Sequence, residues 1–254
     1  MGDFYLPLLN EVGGQENDYL TLMEMAFEGN AELEHMSTLS QAHIELLHIL
    51  SQETQQLFDG FNDPAHGWEH VWRVYNLALR IGEEEGADTL IIGIAALLHD
   101  IGRLIHRKGT PHALISVEEA REILKRYPLE QIQIEAILHA IEAHSFSQGI
   151  EPRTLEARVV RDADRLDGLG AIGILRWAIT GTIKRKPATK SYHPEDPFGE
   201  HHVLDDKLYM LDHFYVKLLK LEQGMYTSTG RVMAQQRTAY MRAYLQELRL
   251  ELGV

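Results

Sequence analysis

The chain has 254 residues, with 24 Lys and Arg against 38 Asp and Glu and a net charge of −14 when histidine is neutral. No cysteine is present, which excludes disulfides, thiolate metal clusters and cysteine nucleophiles and fits a reducing cytoplasm. The acidic balance, the absence of a long apolar run and the lack of an export-type start speak against nucleic-acid polymers, membranes and secretion, while small anionic ligands remain open wherever cations cluster.

Apolar residues recur at spacings of three and four and strand-like alternation is nearly absent, so the chain reads as all-α, a helical bundle. Residues 1–60 read as an N-terminal helical extension. Gly13-Gly14 and Gly29-Asn30 interrupt its first part, predicting partial helix and a mobile start, and a helix follows over 38–58. Residues 61–254 read as the main domain. After the turn Phe61-Asn62-Asp63-Pro64, a helix is expected over 67–85, with Val71, Val74, Tyr75, Ala78 and Ile81 on one stripe. Residues 88–100 are apolar all round until His99-Asp100, as in a helix buried on every side. Ser116-Val117-Glu118-Glu119 reads as a capping box opening a helix that Pro128 closes. Further helices are expected over 129–144, 155–167 and 171–180. A long loop over 181–203 carries Pro187, Pro194 and Pro197, and helices over 205–221 and 228–250 close the chain.

The chain holds 14 histidines, of which His66, His70, His99, His106, His112, His139 and His144 fall within one stretch. Without cysteine, such histidines and nearby aspartates are the donors of a nitrogen-and-oxygen metal site. His99-Asp100 is the sharpest feature: an imidazole and a carboxylate ending a wholly apolar helix are costly to bury without a partner such as a metal cation. The alternative is a helix end emerging into solvent, where histidine is favourable against the dipole. His66 and His70, four apart, share one helical face, as ligands or as surface decoration. Asp164 shares a face with Val160 and Ala163, so its carboxylate points inward and needs a cation, or else Arg161 or Arg165. His144 continues the face of Ile137, Ala140 and Ile141, whereas His139 lies about 140° round the helix. Gly168-Leu-Gly170-Ala-Ile-Gly173 spells a dinucleotide-binding fingerprint, but a helical Asp-rich segment precedes it where a strand is required, so the glycines read as close helix packing.

His70 in Glu-His-Val-Trp-Arg-Val, His99-Asp100 in Ala-Leu-Leu-His-Asp-Ile-Gly and Asp164 in Asp-Ala-Asp-Arg-Leu-Asp resemble, in this order, the His, His-Asp, Asp signature of the HD-domain metal-dependent phosphohydrolase superfamily. Within it, the stretches 162–173 and 212–221 look most like a bacterial group of similar length whose members hydrolyse nucleotides with a divalent cation. The resemblance implies an HD-domain helical bundle in which His70, His99, Asp100 and Asp164 bind a divalent metal. Such donors suit Mn²⁺, Fe²⁺, Co²⁺, Ni²⁺ or Mg²⁺, and the metal would acidify water and polarise a phosphoryl oxygen. It casts His66 as phosphate contact or leaving-group acid, Arg103 as phosphate-binding cation, Asp100 as the group orienting the attacking water, and Asp167 as a group that orients a ligand or accepts a proton. His112 and His144 resemble the extra ligands of binuclear members, a second metal. A catalytic Glu that some nucleotidases carry at the place of Arg103 is absent. His213 and Lys217, with Lys207 and Lys220, would grip a polyphosphate tail or form a solvated face, and Lys184-Arg185-Lys186 a phosphate lid or plain surface. The expected activity is hydrolysis of a small-molecule nucleotide or a related phosphoanhydride or phosphoester, with homo-oligomerisation left open. The alternatives are a di-iron HD-type oxygenase and a non-catalytic nucleotide-sensing HD module.

Overall fold

The computed structural model describes residues 40–145, 148–183 and 186–254. The expectations for residues 1–36, and Lys184 and Arg185 of the suggested lid, lie outside the described residues. Among the described residues the regular structure is helical, as the periodicity predicts. In order the elements are α1 (Gln41–Leu57), α2 (Trp68–Glu85), α3 (Thr89–Leu98), a 3-10 turn (Ile101–Leu104), α4 (His112–Leu124), α5 (Gln131–His144), α6 (Leu155–Leu166), α7 (Gly170–Ile183), α8 (Asp212–Val216), a second 3-10 turn (Leu218–Gly224) and α9 (Ser228–Leu252). No helix among them is long and apolar enough to cross a membrane.

Helix α3 is the axis of the bundle. Its residues Leu90–Leu98 are all buried, because α1, α2, α5 and α6 each pack against it. A helix apolar on every side is stable only when enclosed in this way. Asp88 sets its start by accepting from the amides of Leu90 and Ile91 at 2.9 and 3.1 Å, two of the donors a helix N-terminus leaves without partners. Helix α1 buries Leu46, Leu47 and Leu50, and the compact unit runs over Gln41–Val254. The 41–57 helix is thus part of the main body, where the sequence reading had set it in an extension ending at residue 60.

Three local expectations are corrected. Helix α4 begins at His112, not at Ser116; Ser116 lies inside it, and its hydroxyl accepts from the Gly102 amide at 2.9 Å. A Cβ at Gly102 would sit 2.2 Å from the His112 carbonyl oxygen, so only glycine lets the 3-10 turn press against the first turn of α4. The expected helix over 205–221 is instead α8 followed by the second 3-10 turn, broken at Lys217, whose φ of −132° and ψ of −59° are not helical. The glycines 168–173 serve the turn between α6 and α7 more than helix packing: a Cβ at Gly173 would lie 2.3 Å from the Gly168 carbonyl oxygen, and Gly170 starts α7 at φ +72° beside Arg237. The proline-bearing loop is tied down by Lys190, whose amide donates to Leu208 and whose carbonyl accepts from Met210, at 2.8 and 2.9 Å.

Candidate metal centre

The chemistry-bearing residues sit at helix ends gathered around the exit of α3. His70 is in the first turn of α2, His99 is the C-cap of α3, Asp100 precedes the 3-10 turn, His112 opens α4 and His144 closes α5. Asp164 lies in the last turn of α6, and Asp167 is its C-cap. The apolar run of α3 buries its own end, which is why His99 and Asp100 have no more than 1% of their surface exposed.

Two groups of donors form, sharing Asp100: His70 with His99 and Asp100, and Asp100 with His112 and His144. In the first, His70 Nε2 lies 3.3 Å from His99 Nε2 and 3.5 Å from Asp100 Oδ2. Asp164 Oδ1 completes it, 3.4 Å from His70 Nε2 and 4.0 Å from His99 Nε2. In the second, Asp100 Oδ1 is 3.3 Å from His112 Nε2 and 3.6 Å from His144 Nε2, and these two nitrogens are 3.3 Å apart. His139, by contrast, accepts from the Arg153 amide, as its angular offset from His144 requires.

The outward ring nitrogens fix the tautomers. His99 Nδ1 donates to the Ala96 carbonyl at 2.7 Å, His144 Nδ1 to the Ile141 carbonyl at 2.6 Å, and His70 Nδ1 to Asp167 Oδ2 at 2.7 Å. Each of these acceptors holds the proton on Nδ1 by accepting its hydrogen bond and so leaves the Nε2 lone pair of the neutral ring facing inward. Lone pairs and carboxylates converging at such distances repel unless a cation lies among them. Asp100 Oδ1 is moreover buried with no hydrogen-bond partner, which leaves its lone pairs available to a cation. The donors present therefore fit a divalent cation, and the shared carboxylate of Asp100 fits a pair of them.

Protonation follows from these surroundings. Burial pulls His99 and His112 down to about 4, against the attraction of Asp100. Burial also works against a proton on His70, but hydrogen bonds to Asp100, Asp164 and Asp167 prevail and raise it to about 10. Asp164 is held well below the usual carboxylate range, its burial outweighed by the bond to His70. In the ion-free protein a proton on His70 thus neutralises part of what a metal would otherwise neutralise.

Arg103 joins both groups, with Nε 2.5 Å from Asp100 Oδ2 and a terminal nitrogen 3.3 Å from His112 Nε2. His66 stands beside His70, ring centres 5.9 Å apart, and bonds Asp63 through Nδ1 at 2.9 Å. Burial and the nearby Arg103 lower it to about 4, so its ring is neutral at neutral pH. Asp167 is buried and accepts from Arg73 Nε at 2.7 Å and lies 3.0 Å from Arg176; against its burial, the bond to His70, then Arg73 and Arg176, hold it at about 2.

Two expected phosphate contacts are not brought together. His213 pairs with Asp206 at 2.8 Å, and because α8 ends at Val216, His213, Lys217 and Lys220 do not share one helical face as their spacing implied. Two groups escaped the sequence reading. Arg73 follows His70 by three residues, and Arg176 is the one charge in the apolar α7; Arg176 also donates to the Ala65 carbonyl at 2.9 Å. An isolated arginine in an apolar helix is itself the signal that would have found it.

A bundle of helix ends presenting His, His-Asp and Asp to one point defines a class, and the HD domain family pattern matches residues 67–169. YpgQ of Bacillus subtilis, an uncharacterized protein, is 34% identical over 188 residues, covering 72% of this chain and 83% of YpgQ. The chain belongs to the HD-domain family. The crystal structure of YpgQ in complex with ADP superposes with a TM-score of 0.65 at 30% identity, over 83% of this chain and 97% of that one. An HD-superfamily hydrolase of Bacillus thuringiensis gives 0.65 at 28% identity, over 84% and 99%. Ribonuclease Y of Thermoanaerobacter pseudethanolicus is 36% identical over 144 residues, which are 56% of this chain and 25% of the ribonuclease. The fold is that of HD-superfamily hydrolases, and the two His/Asp groups could hold metal ions.

Proposed function

We propose that this chain is a divalent-metal-dependent phosphohydrolase whose substrate is a small nucleotide. The observation that carries the reading is the convergence of Nε2 atoms on the two oxygens of Asp100, His70 and His99 at Oδ2 and His112 and His144 at the partnerless Oδ1, with Arg103 beside them. His70, His99, Asp100 and Asp164 would hold one metal and His112, His144 and Asp100 a second. When bound, such metals supply Lewis acidity toward a phosphoryl oxygen and acidify water. The chain's own residues do the rest. Arg103 places a guanidinium where charge grows on the phosphoryl oxygens. His66, lone pair outward from Asp63, takes up a proton when the phosphate raises its affinity for one, and then delivers it to the leaving oxygen. Asp167 holds His70 in the tautomer that presents Nε2, and Arg73 and Arg176 hold Asp167. The ADP bound to YpgQ supports a nucleotide ligand, and the net charge of −14 disfavours long polyanions.

A second reading is hydrolysis of a phosphodiester in RNA, favoured by the likeness to ribonuclease Y over 144 residues. Iron with oxygen uptake and no hydrolysis would favour the oxygenase, and binding without turnover the sensing module. The test is Asp100→Ala assayed against nucleotides and a short oligoribonucleotide. It is expected to lose bound metal and nucleotide turnover together; wild-type rates in this variant contradict the mechanism.

A further inference from the structure

Helix α7 is apolar along its length apart from Arg176, and that guanidinium serves two other elements at once. The turn between α6 and α7 brings it there, because Gly173 lets the first turn of α7 press against the Gly168 carbonyl oxygen, where a Cβ would lie 2.3 Å away. Arg176 reaches the Ala65 carbonyl with Nε at 2.9 Å and Asp167 Oδ2 with Nη1 at 3.0 Å. The side chain is 15% exposed, and Ala65 and Asp167 are buried, so both bonds are shielded from water and costly to leave unmade. Asp167 does not depend on Arg176 alone: Arg73 gives it two bonds, at 2.7 and 3.0 Å, and His70 a third at 2.7 Å. The Ala65 carbonyl, by contrast, takes its bond from Arg176. That carbonyl lies in the peptide plane joining Ala65 to His66. The other edge of the plane is fixed as well, since the His66 amide donates to the Asp63 carbonyl at 3.0 Å. With ring Nδ1 held by Asp63 at 2.9 Å, the bond from Arg176 completes the set that decides where His66 Nε2 points.

We infer that Arg176 is a positioning residue that acts through His66: it ties the Ala65–His66 peptide plane to the Asp167–His70 pair and so keeps the His66 imidazole in register with the donor cluster. This rests on the phosphohydrolase reading, in which His66 delivers a proton to the leaving oxygen, and adds the residue that sets the geometry of that delivery. A guanidinium suits the task because its planar fork spans two acceptors on different elements. A lysine ammonium keeps the charge beside Asp167 without spanning both. Displacement of a reacting group by about 1 Å costs about 10²-fold in rate, so a strut of this kind is felt in turnover more than in binding.

The experiment compares the full chain with its Arg176→Lys variant, both supplied with Mn²⁺. The substrates are nucleoside mono- and triphosphates, whose leaving oxygens take up a proton, and a p-nitrophenyl phosphate ester, whose leaving group departs as a stable anion. The variant is expected to keep its metal content and to hold KM for the nucleotide within about twofold. Its kcat on the nucleotide is expected to fall about 10²-fold, and its kcat on the nitrophenyl ester far less. In a His66→Gln background the same change is expected to cost no more than about a further twofold, because both substitutions then act on one step. Equal losses on the two kinds of ester, loss of metal, or a full second loss in the His66→Gln background would overturn the inference. Hydrogen exchange supplies a reading that needs no turnover: protection of the His66 amide is expected to fall about tenfold in Arg176→Lys while that of the His70 amide is kept. That loss in a protein that hydrolyses none of the substrates would uphold the strut and sink the phosphohydrolase reading. Unchanged protection of the His66 amide in an active enzyme would do the reverse.

Discussion

His70 and His99 face each other through Nε2 atoms 3.3 Å apart, while the opposite nitrogen of each ring is held by Asp167 and by the Ala96 carbonyl. Two inward lone pairs at that distance require a proton or a metal, and the protein is stabilised by whichever is bound. Adding Mn²⁺ to chelator-treated protein at about 100 times its dissociation constant is worth about 2.7 kcal/mol. For a chain of this size that corresponds to a rise in Tm of about 5–10 °C. Differential scanning fluorimetry checks this, and an unchanged Tm would remove the metal from the account.

Asp167 acts on the cluster through His70. In Asp167→Asn the carboxamide presents a donor to the His70 Nδ1 proton and loses its charge beside Arg73 and Arg176. Metal affinity is expected to fall about 10- to 100-fold, and stability by about 3 kcal/mol as a buried ion pair is broken. Competition with a fluorescent chelator measures the first and denaturant unfolding the second. Unaltered metal affinity would reduce Asp167 to a structural anchor.

His144 belongs only to the second donor group, whereas Asp100 belongs to both. Metal analysis is expected to give about two equivalents in wild type, about one in His144→Gln and close to none in Asp100→Ala. One equivalent in wild type that His144→Gln leaves unchanged would show a mononuclear site.

These residues also mark how far the sequence could be read. The linear order His70, His99-Asp100, Asp164 was legible through its resemblance to the HD-domain signature, and the inward sense of His144 over His139 followed from residues per turn alone. The start of α4 was not: Ser116 carries a capping pattern, yet its hydroxyl is drawn to the Gly102 amide, a tertiary contact 14 residues away that no local rule contains. The late basic residues misled for a related reason, since a helical spacing was assumed through Lys217, where the backbone leaves the helix. Arg176 was overlooked because its partners, the Ala65 carbonyl and Asp167, come from distant elements.

The proline-bearing loop carries a pH dependence of its own. His202 bridges Asp212 and Asp196 at 2.9 and 2.8 Å, stacks on His193 and abuts Tyr209. The bond to Asp212, opposed by burial and reinforced by Asp196, raises its pKa, while Asp196, despite burial, is lowered by the amides of His201 and His202 and by the His202 ring. A raised imidazole stabilises fully below the ordinary value of about 6.5 and loses that contribution as pH rises through its folded value; a lowered carboxylate does so above about 3.9 and loses it as pH falls through its own. Protection of the Asp205 amide, which donates to Asp212 at 2.7 Å, is therefore expected to be highest between about pH 4 and 6.5 and to decline as pH rises through the raised value of His202. Hydrogen exchange reads this directly, and a decline that persists unchanged in His202→Gln would assign it to another group.

The central claim is tested most directly by chromatography of nucleoside mono-, di- and triphosphates incubated with metal-stripped protein, with and without Mn²⁺. The account predicts products only when the metal is added, with the released phosphate or pyrophosphate identifying the bond cut. Turnover that is indifferent to metal, or no turnover of any nucleotide with Mn²⁺ present, would contradict it.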